Sequence, residues 1–323
     1  MSQISRRELL AGAAAVGALL LDKQAFAKAS QPSTKVNFDI PAGACDTHTH
    51  IFADQKVYPL SPNRMYTPEE ALPPEMKALH KALHMERVVI VNPSIYGTDN
   101  RASLFGMKAY GPGARGVAVI DEKTPESELD SMHQAGMRGI RINLATQNQT
   151  DPALGRKRLI EAIERVKRRN WHVQMYVAAS IIPGIKDIVM SSPVPVVFDH
   201  FGGAASKSGL KQPGFPELVE MVKAGKAYVK ISGAYRASTN SPGYEDLVPY
   251  AKALIAANAD RVVWGTDWPH PDSAPPQGRK ATELNPVLQI DDGRLLNLLP
   301  VWAPDAQVRK KILVDNPAKL YGY

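Results

Sequence analysis

A His-x-His pair and a distant aspartate carry the chemistry this chain could do. The first stretch is Asp46-Thr47-His48-Thr49-His50; the second is Gly265-Thr266-Asp267-Trp268-Pro269. Each leaves the end of a strand-like apolar run. His48 and His50 stand two apart on a strand, so both side chains point to the same side. That arrangement offers two imidazoles to one metal ion or one carbonyl oxygen. Asp267 stands between Trp264 and Trp268, a setting expected to limit its solvation and raise its pKa. A carboxylate so placed can take a proton from water. His200, after Asp199, supplies a third imidazole.

These groups need a scaffold that brings the two ends of the chain together. Eight Val- and Ile-rich runs read as strands: 43–52, 87–91, 115–120, 137–143, 172–177, 194–198, 227–232 and 261–264. Helix-compatible segments lie between them, among them 68–84, 126–135 with Thr124 as cap, 155–169 and 245–257. Eight βα units in one chain predict a (β/α)₈ TIM barrel, with strands apolar on both faces as a parallel sheet requires. No Gly-x-Gly-x-x-Gly follows a strand, which argues against an open dinucleotide-binding sheet. Two long loops, 53–67 and 269–292, would sit on the catalytic face and could cover a ligand.

In a barrel, the C-terminal ends of all eight strands converge on one rim. His48, His50, Asn92, Asp121, Arg141, Asn143, Gln174, Tyr176, His200, Ser232, Tyr235, Arg236 and Asp267 fall there. His48, His50, His200 and Asp267 are the catalytic candidates. Arg141 lies mid-strand and must be paired, because burying it alone is costly; its partner is an internal acid or a substrate carboxylate. Arg236 poses the same choice. Arginine forks grip carboxylates bidentately, so two of them suggest an acidic ligand. His172 starts its strand and belongs to the opposite, stability end. His80, His84 and His133 fall in helices and are expected at the surface.

The N-terminal 27 residues read as a targeting segment. Ser5-Arg6-Arg7-Glu8-Leu9-Leu10 is followed by an apolar run to Leu21 and by Ala25-Phe26-Ala27. This is the order of a twin-arginine (Tat) export signal, with a run too short for a confident membrane anchor. Its removal leaves one domain, residues 28–323, expected in the periplasm after export of the folded chain by the Tat machinery. The formal charge of +7 is modest. Its concentration in the helix 156–169 lacks the aromatic interleaving of a nucleic-acid surface and reads as a solvated face. Cys45 is the only cysteine, so no intrachain disulfide forms, and a buried apolar role is expected.

Four stretches together resemble the amidohydrolase superfamily: Cys45–His50, Val197-Phe198-Asp199-His200-Phe201-Gly202-Gly203, Val262–His270 and Asp315–Tyr323. More narrowly, they resemble the branch with pyrone-dicarboxylate lactonases and sugar-acid lactone hydrolases and isomerases. The resemblance implies a distorted barrel and hydrolysis of an ester-like or amide-like bond. Binuclear members of the superfamily carry a carboxylated Lys or a Glu on strand 4 and a His on strand 5. This chain has Arg141 on strand 4, and Gln174 and Tyr176 on strand 5, so no metal or one divalent metal is expected. The resemblance makes Asp267 the general base, has His48, His50 and His200 polarise a lactone carbonyl, and gives Arg141, Tyr176 and Arg236 to substrate carboxylates; Asn92 and Asn143 are further rim candidates. A single Zn²⁺ or Mn²⁺ would take His48, His50 and Asp267.

The expected function is an exported hydrolase that opens a small carboxylated lactone with water activated by Asp267. Isomerisation of a sugar-acid lactone at the same site is the alternative. A decarboxylase, or a periplasmic sugar-acid binder without turnover, are the more distant readings.

Overall fold

β-Branched residues bounded by Gly, Pro and Asp form eight parallel strands. The computed structural model describes residues 29–273 and 278–323. Its strands are β1 (Cys45–Thr49), β2 (Arg87–Val91), β3 (Ala114–Ala118), β4 (Met137–Asn143), β5 (His172–Tyr176), β6 (Val196–Phe198), β7 (Ala227–Lys230) and β8 (Val262–Val263). They lie side by side in chain order, as a barrel requires. The expected export signal and its cleavage site fall outside the described residues. Among the described residues, no helix is long and apolar enough to cross a membrane.

The eighth strand meets the first through irregular backbone. Thr47 N–H donates to Trp264 O (3.0 Å), Asp267 N–H to His48 O (2.8 Å) and His50 N–H to Trp268 O (2.8 Å). The buried Asp46 carboxylate fastens this seam. Its Oδ1 accepts the Thr266 N–H at 3.0 Å and the His48 N–H at 3.1 Å; its Oδ2 accepts the Thr266 hydroxyl at 2.6 Å. β8 is short because the backbone beyond it bonds to this carboxylate. Gly265 makes the close approach feasible: a Cβ there would lie 2.7 Å from the His48 nitrogen. Pairing of β1 with β2 slips register between Asp46 and Thr49. At the slip, Asp46 reaches His80 on the surrounding helix Pro73–Leu83, while His48 meets groups inside the barrel.

His80 is therefore buried and bonded to Asp46 Oδ2 at 3.1 Å, not at the surface. His133 is half-buried and accepts the Trp171 indole N–H at 2.8 Å; His84 is exposed as expected. Thr124 does not cap the next helix, Glu126–Gln134. Pro125 holds that position, and the Thr124 hydroxyl donates to Asp121 in the preceding turn. Asp151 caps helix Pro152–Val166 by accepting the Ala153 N–H, so this helix begins before the expected start.

The base of the barrel is plugged from the C-terminus. Tyr321, ending helix Asn316–Tyr321, packs with Cys45, Val89, Val91 and Val117. Burial pushes the Cys45 thiol up to about 12, which leaves it a small apolar group. The Tyr321 ring meets His172 edge-on at 5.2 Å. At the opposite rim, Thr67–Pro68 from the first long loop pairs with Leu284–Asn285 from the last, tying the two loops together.

Asp46→Ala would take the acceptor from two buried backbone N–H groups at the seam and from His80, and leave the Thr266 hydroxyl only its longer bond to His48 O. A loss of about 3 kcal/mol or more is expected by urea unfolding; a loss below about 1 kcal/mol would remove the seam from the list of stabilising contacts. His172 gives a second test. Burial and the nearby Lys230 lower its pKa to about 3, so it stays neutral in the fold while the unfolded chain binds a proton near 6.5. Stability from this site falls as pH drops below 6.5, by about 2 kcal/mol between pH 7 and 5. His172→Phe should flatten that dependence by this amount.

Candidate active site

Four side chains from three strand ends converge inside the rim. His48 and His50 come from β1 and its end, His200 follows β6, and Asp267 follows β8. All are buried. Asp267 Oδ1 lies 3.5 Å from His50 Nε2, 3.6 Å from His48 Nε2 and 3.8 Å from His200 Nε2. His200 and Asp267 both adopt left-handed backbone, φ +49° and +68°, which is strained for these residues and typical of functional sites. Gly233 makes room for this turn: a Cβ there would sit 2.7 Å from His200 Nδ1.

Electrostatics differ from the sequence expectation at Asp267. Burial does oppose its charge, but Arg236, His200, His50 and His48 outweigh burial and hold its carboxyl well below the usual range. The expected rise from the flanking tryptophans is overturned. Oδ2 is clamped by Arg236 Nε at 2.5 Å and by the Tyr235 hydroxyl at 2.7 Å. Among the described residues, Oδ1 has no hydrogen-bond donor, and His48 Nε2 beside it has no partner either.

All three imidazoles are pushed toward neutrality, first by burial. His48 falls well below its ordinary value, His50 falls too, and His200 drops to about 4. His50 Nδ1 lies 2.7 Å from the Val91 carbonyl, which only accepts, so its neutral ring carries the proton on Nδ1. A bare His50 Nε2 then faces a bare carboxylate oxygen at 3.5 Å. Two acceptors so close call for a shared proton, a water or a cation between them.

The donor set fits one divalent metal. One ligand atom from each of His48, His200 and Asp267 lies within 4.8 Å of the other two. In this set His200 stands where the sequence expectation has His50. The two orphaned atoms belong to it, and His200 is held from behind by Ser232 Oγ at 3.0 Å from its Nδ1. Imidazole and carboxylate suit Zn²⁺ or Mn²⁺.

The remaining candidates divide. Arg141, Asn143, Tyr176 and Arg236 line the pocket with His50, His200 and Asp267. Arg141 has the internal partner: its Nε donates to Asp199 Oδ2 at 3.1 Å, and its guanidinium stands 5.2 Å from the centre of the Tyr176 ring. Asn143 bonds Thr146 and borders the pocket. Asn92 does not reach it. Its side chain is spent on Ser103 and the Gly97 carbonyl. The inner pocket holds about 10 Å³; an outer cavity of about 560 Å³ shares Thr146, Tyr176, Arg236, Pro271 and Ser273 with it.

Sequence reasoning passed over the layer beneath. Asp199 accepts from Arg141 and from Gln174 Nε2 at 3.0 Å, and burial of its charge is outweighed by His48, Lys230 and Arg141. Lys230 closes β7, fully buried, with Nζ 3.3 Å from His48 Nδ1. A lysine ending an otherwise apolar inner strand was the available signal. Tyr66, in the first long loop, also lines the pocket.

The comparisons with known proteins agree with this geometry. The sequence profile of the amidohydrolase family matches residues 45–323. The 2-pyrone-4,6-dicarboxylate hydrolase of Comamonas testosteroni is 34% identical over 300 residues, covering 89% of this chain and 93% of its own. The D-galactarolactone isomerase of Agrobacterium fabrum is 29% identical over 290 residues, 89% of this chain and 94% of its own. An apo crystal structure from Agrobacterium tumefaciens superposes with a TM-score of 0.72 at 25% identity, covering 90% of this chain and 98% of its own. With three histidines and an aspartate gathered at the rim of a parallel barrel, this chain belongs to the amidohydrolase family and is an enzyme acting on ester-type bonds.

Proposed function

We propose that this protein hydrolyses a small lactone bearing at least one carboxylate. The observation that supports this most is the meeting of Asp267 Oδ1 with three imidazoles beneath two pocket-lining arginines. Arg141 Nη groups and Arg236 present positive charge toward the pocket, where a carboxylate is held best by such forks. The lactone carbonyl then faces the imidazoles, and water lies against Asp267 Oδ1. Water oxygen adds to the carbonyl carbon as one of its protons passes to Asp267. The developing oxyanion is stabilised by the imidazole groups. On collapse the ring C–O bond breaks, and the proton on Asp267 passes to the departing ring oxygen. The product is the ring-opened hydroxy acid.

A carboxyl held low is a weak base. Arg236 is the link that adjusts it: a substrate carboxylate drawing on Arg236 weakens the clamp on Asp267 Oδ2 and raises its basicity. Where Zn²⁺ or Mn²⁺ is bound, His48, His200 and Asp267 would hold it, and it would supply Lewis acidity for water or carbonyl. The second reading, isomerisation of a sugar-acid lactone, draws on the likeness to the galactarolactone isomerase. It uses the same Asp267 to move a proton between substrate oxygens.

A panel of carboxylated lactones assayed with wild type and Asp267→Asn tests the assignment. The variant should lose about 10²- to 10⁴-fold in kcat/KM; equal rates on every lactone turned over would remove Asp267 from the mechanism. Nuclear magnetic resonance of the product separates ring-opened acid from rearranged lactone. We propose further that the folded chain is exported by the twin-arginine route, on the strength of Arg6-Arg7 and the apolar run after them. Replacing both arginines with lysine should retain the protein in the cytoplasm on cell fractionation; an unchanged periplasmic pool would refute this.

A further inference from the structure

Lys230 is placed to decide which nitrogen of His48 carries the proton. Its Nζ is fully buried and donates to the Thr47 carbonyl at 2.8 Å and to Gln174 Oε1 at 2.8 Å. An ammonium has three protons. The third points to His48 Nδ1, 3.3 Å away, with hydrogen-bond geometry. Asp199 Oδ1 comes equally close to that nitrogen, at 3.3 Å, but without such geometry, and among the described residues it has no donor of its own. The Asp199 carboxylate is 3.6 Å from Lys230 Nζ and serves as its countercharge.

We infer that Lys230 is a positioning residue that fixes metal-free His48 with its proton on Nε2, aimed at the reacting carbonyl oxygen. An Nδ1 that accepts from an ammonium cannot itself carry a proton in a neutral ring. The proton therefore sits on Nε2, the nitrogen 3.6 Å from Asp267 Oδ1. His50 has the reverse arrangement, because the Val91 carbonyl demands its Nδ1 proton. The two rings of one His-x-His pair thus differ in role: His48 donates and His50 accepts. A hydrolytic site needs both, a donor for the oxyanion and an acceptor for water. Asp199 supplies the alternative. If an ion takes His48 Nε2, the proton moves to Nδ1, where Asp199 Oδ1 can receive it. Lys230 and Asp199 together form a tautomer selector beneath the site.

This inference refines the lactone-opening reading, but its first test needs no substrate. Long-range proton–nitrogen resonance spectra of chelator-treated protein, with His48 assigned by its loss in His48→Gln, should show a protonated Nε2 and a bare Nδ1. A protonated Nδ1 in the wild type overturns the inference, whatever the enzyme's substrate. Lys230→Met keeps the length and removes the donor. It should move the proton to Nδ1 and lower kcat about 100-fold, with KM changed by less than about threefold. A folded Lys230→Met protein whose His48 keeps the Nε2 proton also overturns it, since Lys230 would then serve only the packing. If that variant fails to fold, the wild-type spectrum alone decides.

Discussion

The seam between β8 and β1 hangs on one buried carboxylate, and the site hangs on the seam. Asp46 accepts two backbone N–H groups and the Thr266 hydroxyl. Those bonds set the direction in which the chain leaves β8, and the next residue is Asp267. The same carboxylate holds the His48 backbone. One side chain therefore fixes the distance between Asp267 and the first imidazole. Backbone donors are rigid acceptor-matched partners, so this geometry does not depend on flexible side chains. The loops above it differ in kind: they are tied to each other by a two-residue ladder and leave the cavity between them open to shape by the ligand.

Burial decides the charge states that this frame presents. Taking imidazoles out of water disfavours their charged form, and here that outweighs the neighbouring carboxylates. The carboxylates go the other way. Asp199 and Asp267 each stand beside guanidinium or ammonium groups, and these outweigh the cost of burying their charge. The result is a set of neutral imidazoles between fixed carboxylates. Neutral rings can donate or accept at a defined nitrogen, and at His48 and His50 the partners at Nδ1 choose which.

Much of this was legible in the residues. The eight strands, their order and the gathering of His48, His50, His200 and Asp267 follow from apolar runs that end in polar groups. What periodicity does not carry is the identity of partners. Asn92 ends a strand as Asn143 does, yet Ser103 and the Gly97 carbonyl consume its side chain. His80 sits in a helix that reads as amphipathic, but its ring meets Asp46 through a slip in β1 register that no alternation pattern announces. Asp267 looked destined for a raised pKa from its tryptophan neighbours. Arg236, 31 positions earlier, reverses that sign because the barrel places it on Oδ2. Pairwise electrostatics depend on distances across the fold, and sequence spacing does not give them.

The depressed basicity of Asp267 constrains where rate enhancement can come from. A carboxylate clamped by Arg236 and Tyr235 is a poor proton acceptor, so in the proposed hydrolysis basicity alone would supply little of the acceleration. The larger share would then come from preorganised donors at the oxyanion and from orientation. Around the imidazoles stand two carboxylates, Asp199 and Asp267, and three cations, Lys230, Arg141 and Arg236. These groups carry one net positive charge among buried side chains, and burying it without a counterion is costly. In the proposed reaction an acidic lactone would supply that counterion. Its carboxylate would relieve the excess charge and, by engaging Arg236, loosen the clamp on Asp267, so that recognition and activation of the substrate would be the same event.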